Sequence, residues 1–168
     1  MNYGELLSSF LVDLQSLYRQ NISISGASFP QIIAISIMPD DGIEMSVLSK
    51  KVGIDNSTAT RLVMGLEKKG WVTRKPSRHD KRVIQVFLTA EGDLVQSSLE
   101  NQFEKLGAAI EKEVDPLDRN ETIEFVSSLH WILSKLIPVP ASERASFIAI
   151  PNAKLSAQAP HCKAFPPH

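Results

Sequence analysis

Between residues 50 and 82 ten side chains are basic, against only three acids, Asp55, Glu67 and Asp80, which gives a local charge of +7. The rest of the 168-residue chain holds eight basic and sixteen acidic residues, so the net charge of −1 hides a very uneven distribution. A basic block in an otherwise acidic small protein is the electrostatic footprint of contact with a phosphate backbone. Two groups within the block could do chemistry on a nucleic acid. Asn56, Ser57, Thr58, Thr60 and Arg61 open a helix-like stretch, where an amide, hydroxyls and a guanidinium can meet base edges and phosphates. Arg61 suits bidentate contact to guanine, and Asn56 suits adenine or a phosphate. Arg78, His79, Asp80, Lys81 and Arg82 crowd a polar loop, in which Asp80 either has an intramolecular partner or is a solvated turn aspartate. Lys50, Lys51 and Lys75 add general phosphate contacts, or plain surface charge. For Asn56, Ser57 and Thr58 the competing role is simply capping the helix.

The elements that must position these groups can be traced from apolar spacing. Residues 3–18 carry a wide helical stripe that includes Leu6, Leu7, Phe10, Leu11, Leu14 and Leu17, to be buried under its own domain or against a second copy. Ser28 and Pro30 open a second helix, apolar nearly all round, which stops at Pro39. Residues 43–54 read as a short strand-like entry and a short helix ending at Gly53 in a left-handed cap. Asp55 then caps a helix over 56–69 whose buried face is Ala59, Leu62, Val63 and Leu66. After Gly70 the period turns alternating: a strand over 71–75, a loop over 76–81 and a returning strand over 82–88. Thr89 caps a long helix with apolar positions at Leu94, Val95, Leu99, Phe103, Leu106 and Ile110. Asp118 and Glu121 have capping-box spacing and open a last helix that reaches Ile137.

Helix, tight turn, helix and β-hairpin in that order is a winged helix-turn-helix. The runs 48–54, 57–63 and 66–74, the Asp80-Lys81-Arg82 wing and the entry 88–92 resemble the MarR (multiple antibiotic resistance regulator) family of transcriptional regulators. The resemblance covers residues 3–137. It implies a mainly α fold with a small β-hairpin wing: a MarR-like domain over 1–137, its DNA-binding core at 27–90 and dimerisation helices at 3–20 and 90–137. It further implies a homodimeric repressor, cytoplasmic, that holds the helix 55–69 in the major groove of a pseudo-palindromic double-stranded DNA site. The wing 76–82 would enter the minor groove through Arg82, with Asp80 orienting that arginine or shaping the loop. Release by a small aromatic or anionic effector is implied as well; Phe10, Tyr18 and Phe29 are either pocket residues for it or core. Two departures stand out. Gly65 lies where the family more often has a polar helix former, at a cost of about 1 kcal/mol against alanine unless a close contact needs it. Trp71 stands where a smaller aliphatic residue is usual.

Other functions find less support. No nucleophile–base pair, glycine-rich phosphate cradle or carboxylate cluster suggests an enzyme, and no cofactor is expected. His161, Cys162 and His168 lack compact ligand spacing, so no metal site is expected. A lone cysteine and no apolar run of membrane-spanning length point to a reducing cytoplasm and away from a membrane. Residues 138–168 are rich in proline and alanine and read as an irregular tail. The alternative from another class is a winged helix used for protein interaction, which should lose the basic face and expose apolar residues on its second helix.

Overall fold

The computed structural model describes residues 2–77 and 80–137. Its elements are α1 (Tyr3–Asn21), α2 (Phe29–Ser36), β1 (Ile43–Glu44), α3 (Met45–Val52), α4 (Asn56–Lys68), β2 (Val72–Pro76), β3 (Ile84–Leu88), α5 (Ala90–Glu113) and α6 (Arg119–Leu136). The tail over 138–168, with His161, Cys162 and His168, lies outside the described residues. Among the described residues no helix is long and apolar enough to cross a membrane.

Local chemistry sets most of the helix ends. Asn2 and Glu5 form a reciprocal capping box on α1. Asp55 caps α4, accepting from the Ser57 and Thr58 amides, and Thr89 caps α5, accepting from the Gly92 amide. Gly53 ends α3 at φ 74°, in the left-handed region expected of it. The start of α6 departs from expectation. Asp118 makes no side-chain cap there; Asp115 instead accepts from the Leu117 amide at 2.9 Å, and Pro116 has already turned the chain.

The strands form one antiparallel sheet in the order β1-β3-β2. The β1 strand adds a third member to the expected hairpin, pairing Ile43 with Val86 while Arg74 pairs with Val86 from the other side. The hairpin is also shifted from its expected bounds. The Trp71 amide donates to the Leu66 carbonyl, so it belongs to the exit of α4, and Pro76 pairs with Ile84 inside the ladder. Beyond the ladder the Ser77 amide donates to the Val83 carbonyl at 2.8 Å.

The core lies where α2, α3, α4 and the sheet meet α5. Ile35, Met38, Leu48, Val63, Leu66, Val86 and Leu99 are fully buried there. Leu62, expected inside, is only partly buried at its edge. Two glutamines fasten α5 to this unit. The Gln96 amide donates to the Ile35 and Met38 carbonyls, each at 2.8 Å, bracing the exit of α2, where the Met38 amide also donates to the Ile35 carbonyl. Gln102 exchanges two hydrogen bonds with the Ser23 backbone. The terminal helices differ: neither α1 nor α6 has a buried residue. Only Leu17 and Tyr18 of α1 lean on the core, Tyr18 against the Phe103 ring. Of the α5 stripe, Leu99 and Leu106 are buried while Leu94 and Ile110 are exposed.

Gly92 shows how tightly α5 meets the wing. A Cβ there would overlap the Trp71 backbone carbonyl, which cannot yield as a flexible side chain could. Gly92→Ala should therefore destabilise the protein by about 1–3 kcal/mol, the usual range for overpacking, in urea unfolding. Unchanged stability would show that the first turn of α5 is free to move.

Candidate nucleic-acid interface

Helix α4 forms because Asp55 satisfies its first amides and because Ala59, Val63 and Leu66 recur on one face, all fully buried. Its opposite face is left to solvent. Ser57, Arg61, Met64 and Lys68 are exposed, and their spacing of four, three and four residues puts them in a single stripe. Gly65 is explained from the packed side: a Cβ there would come 2.7 Å from the Gln31 side-chain amide of α2. A side chain at this position would have to displace the flexible end of Gln31.

The expected contact residues at the start of α4 are partly engaged within the chain. The Ser57 and Thr58 hydroxyls each donate to Asp55 at 2.6 Å. These bonds, with the Thr58 amide, hold the Asp55 carboxyl far below the usual carboxylate range. Thr58 is therefore a capping residue in this structure, the first of its two expected roles. Asn56 is exposed and accepts from the buried Ser49 hydroxyl at 2.7 Å, which locks α3 to α4 across their turn. The Thr60 hydroxyl donates to the Asn56 carbonyl at 2.8 Å. Arg61 is exposed, and its guanidinium reaches the Ser57 hydroxyl at 3.5 Å, a marginal contact that leaves it available.

In the loop between β2 and β3, Asp80, Lys81 and Arg82 are all exposed; Arg78 and His79 lie outside the described residues. The Asp80 carboxylate accepts from the Arg82 backbone amide at 2.9 Å, and its carbonyl accepts from the Val83 amide. It is bonded to the backbone of Arg82, not to its guanidinium. Of the two expected roles for Asp80, the structure has the loop-shaping one.

The remaining cations divide. Lys50 is exposed, whereas Lys51 is half-buried and burial pulls its ammonium below the ordinary lysine value. The Lys75 ammonium lies 5.5 Å from the Phe87 ring centroid. Arg74, not singled out in the sequence, donates twice to Glu67, at 2.8 and 3.1 Å, tying β2 to the last turn of α4. Its guanidinium holds the Glu67 carboxyl below the usual range. Lys69 donates to the Gly26 carbonyl and sits 5.3 Å from the Trp71 ring, joining the exit of α4 to the α1–α2 loop. The three residues expected for an effector pocket do not gather. Phe10 is exposed, Tyr18 packs on Phe103, and Phe29 lies under the Arg19 guanidinium at 4.5 Å.

A capped helix presenting a basic stripe, preceded by a short helix locked to it and followed by a three-stranded sheet with a cationic loop, defines a winged helix-turn-helix protein. Similarity to known proteins agrees. The MarR family model matches residues 37–84. The HTH-type transcriptional regulator SarZ of Staphylococcus saprophyticus is 31% identical over 101 residues, covering 60% of this chain and 69% of that protein. The multiple antibiotic resistance protein MarR of Escherichia coli K12 is 31% identical over 121 residues, 72% of this chain and 78% of the relative. The crystal structure of Streptococcus pneumoniae FabT in complex with DNA superposes with a TM-score of 0.64 at 20% identity, over 79% of this chain and 96% of that one. This chain belongs to the MarR family of transcriptional regulators.

The Asp55 cap gives a prediction with a definite sign. Its folded-state pKa lies below its ordinary value of 3.8, so the stability it contributes is present above that value and lost as pH falls through the lower, folded-state one. Asp55→Ala should melt at a lower temperature than the parent at pH 7, with the gap narrowing below pH ~3. A gap that stays constant down to the acid limit would mean that the carboxylate is not what holds this helix start.

Proposed function

We propose that this protein is a homodimeric, sequence-specific DNA-binding repressor that places α4 of each copy in successive major grooves and the loop 76–82 in the adjoining minor groove. The observation that carries the reading is the exposed polar and basic stripe of α4, held rigid by the Asp55 cap and the Ser49–Asn56 bond. In it Arg61 takes a guanine edge, and Asn56, Ser57 and Thr60 meet neighbouring bases or phosphates, while Thr58 stays on the Asp55 cap. On the wing, Arg82 enters the minor groove, where narrow A·T-rich stretches concentrate negative potential, on a loop whose turn Asp80 fixes. Arg78 and Lys81 flank it as phosphate contacts, and Lys50, Lys51 and Lys75 extend the same electrostatic surface. Residues 27–90 are the DNA-binding unit in this division of the chain, with 3–20 and 90–137 as the dimerisation part.

Pairing follows from the terminal helices. Phe125 and Trp131 of α6 are 64% and 50% exposed, Leu11 of α1 is 57%, and none of the described residues covers this surface. Exposed apolar area of this extent marks a protein interface, and a second copy supplies the matching face by two-fold symmetry. Two copies spaced about 34–36 Å apart reach one side of a duplex. Such a protein works in the cytoplasm with the chromosome, and release by a small aromatic or anionic effector belongs to the same reading. A winged helix used only for protein contacts is disfavoured by the α4 surface, where Ser57, Arg61 and Lys68 are the exposed companions of a single methionine.

The test is electrophoretic retardation of fragments selected from a random duplex pool. Affinity should fall with salt at a log–log slope of about −0.9 per phosphate neutralised. Arg61→Ala should cost about 1–3 kcal/mol and relax base choice at one position of each half-site. Arg82→Ala should weaken binding mainly at A·T-rich flanks. Undiminished binding by the Arg61/Arg82 double variant would contradict these assignments.

A further inference from the structure

We propose that Met64 is a base-reading residue, packing its thioether side chain against a thymine methyl group in the major groove beside the pair that Arg61 contacts. Met64 is 42% exposed although it stands in the middle of a helix whose other face is fully buried. It shares the outward stripe with Ser57, Arg61 and Lys68, and so would be carried into the groove with them. Three residues beyond Arg61 along a helix is a rise of about 4.5 Å, enough to reach a neighbouring base pair. At that depth a side chain meets base edges, and the only apolar group those edges offer is the C5-methyl of thymine. Methionine fits this surface because it is unbranched, polarizable and able to adjust its torsions to a methyl group.

The inference rests on α4 being the major-groove element, and the experiment separates the two claims. The full-length protein is first used to select duplexes from a random pool. In the selected half-site each thymine is then replaced in turn by deoxyuridine, which removes the methyl and keeps every hydrogen-bonding group. One replacement beside the position governed by Arg61 should weaken binding about fourfold, the effect of exposing one methyl group. Met64→Gln keeps length, flexibility and helix propensity and should bind both duplexes while losing the distinction between them. Indifference of the parent protein to every replacement, or a distinction that survives in Met64→Gln, would overturn the role of Met64 and leave the DNA-binding reading intact. Failure to select any duplex would overturn both.

Discussion

Two helices at opposite ends of the described chain, α1 and α6, contain no buried residue, yet both are strongly amphipathic. Apolar faces on this scale are not left in water by a stable protein. The need to cover them organises everything else. Under the proposed reading, the ends of the chain serve pairing and the middle meets DNA. The same need gives α5 its role. At 24 residues this helix is about 36 Å long. Its first half is sealed into the core by Leu99, Gln96 and the Gly92 approach to Trp71, while its second half runs out to the α6 junction. In the proposed dimer this fixes the orientation of each DNA-facing surface relative to the pairing surface.

The second organising force is electrostatic. Each of the three acids in the basic block is engaged by donors of the chain itself. Asp55 accepts from Ser57 and Thr58, Glu67 from the Arg74 side chain, and Asp80 from the Arg82 backbone. Their carboxylates brace a helix start, a helix–strand junction and a loop. Engaged in this way, although Asp55 and Asp80 stay exposed, they stiffen the cationic surface while opposing an incoming phosphate less than three free carboxylates would. Arg74 is the cation spent on this bracing, and Arg61 and Arg82 keep exposed guanidinium groups.

Much of this was legible in the amino-acid sequence because it is local. The Asp55 and Thr89 caps, the Gly53 stop, the buried face of α4 apart from Leu62 and the change of period after Gly70 are short-range patterns, and the structure bears them out. What depended on distant partners was not legible. The strand-like entry at residue 43 could be read, but not its pairing of Ile43 with Val86 on the edge of β3. The Asp118–Glu121 spacing looked like a cap, but Pro116 and Asp115 had already settled the turn. That Gly65 faces Gln31 across the α2–α4 contact was likewise not readable from spacing. On the proposed interface, the choice of Arg61 and Arg82 rests on residue type and spacing, and both are exposed. The fastening of Arg74 to Glu67 and the exposure of Met64 could not be read in that way, although the spacing of Met64 from Ser57 and Arg61 carried a signal.

The mass of the free, full-length protein in sedimentation equilibrium, at micromolar concentration and moderate salt, bears most directly on the pairing of two such surfaces. Twice the chain mass of 18.6 kDa is expected, falling to the single-chain value when a charge is placed on the exposed apolar face of α6, as in Leu133→Glu. A protein that sediments as a monomer with its helix content intact would contradict pairing through the terminal helices.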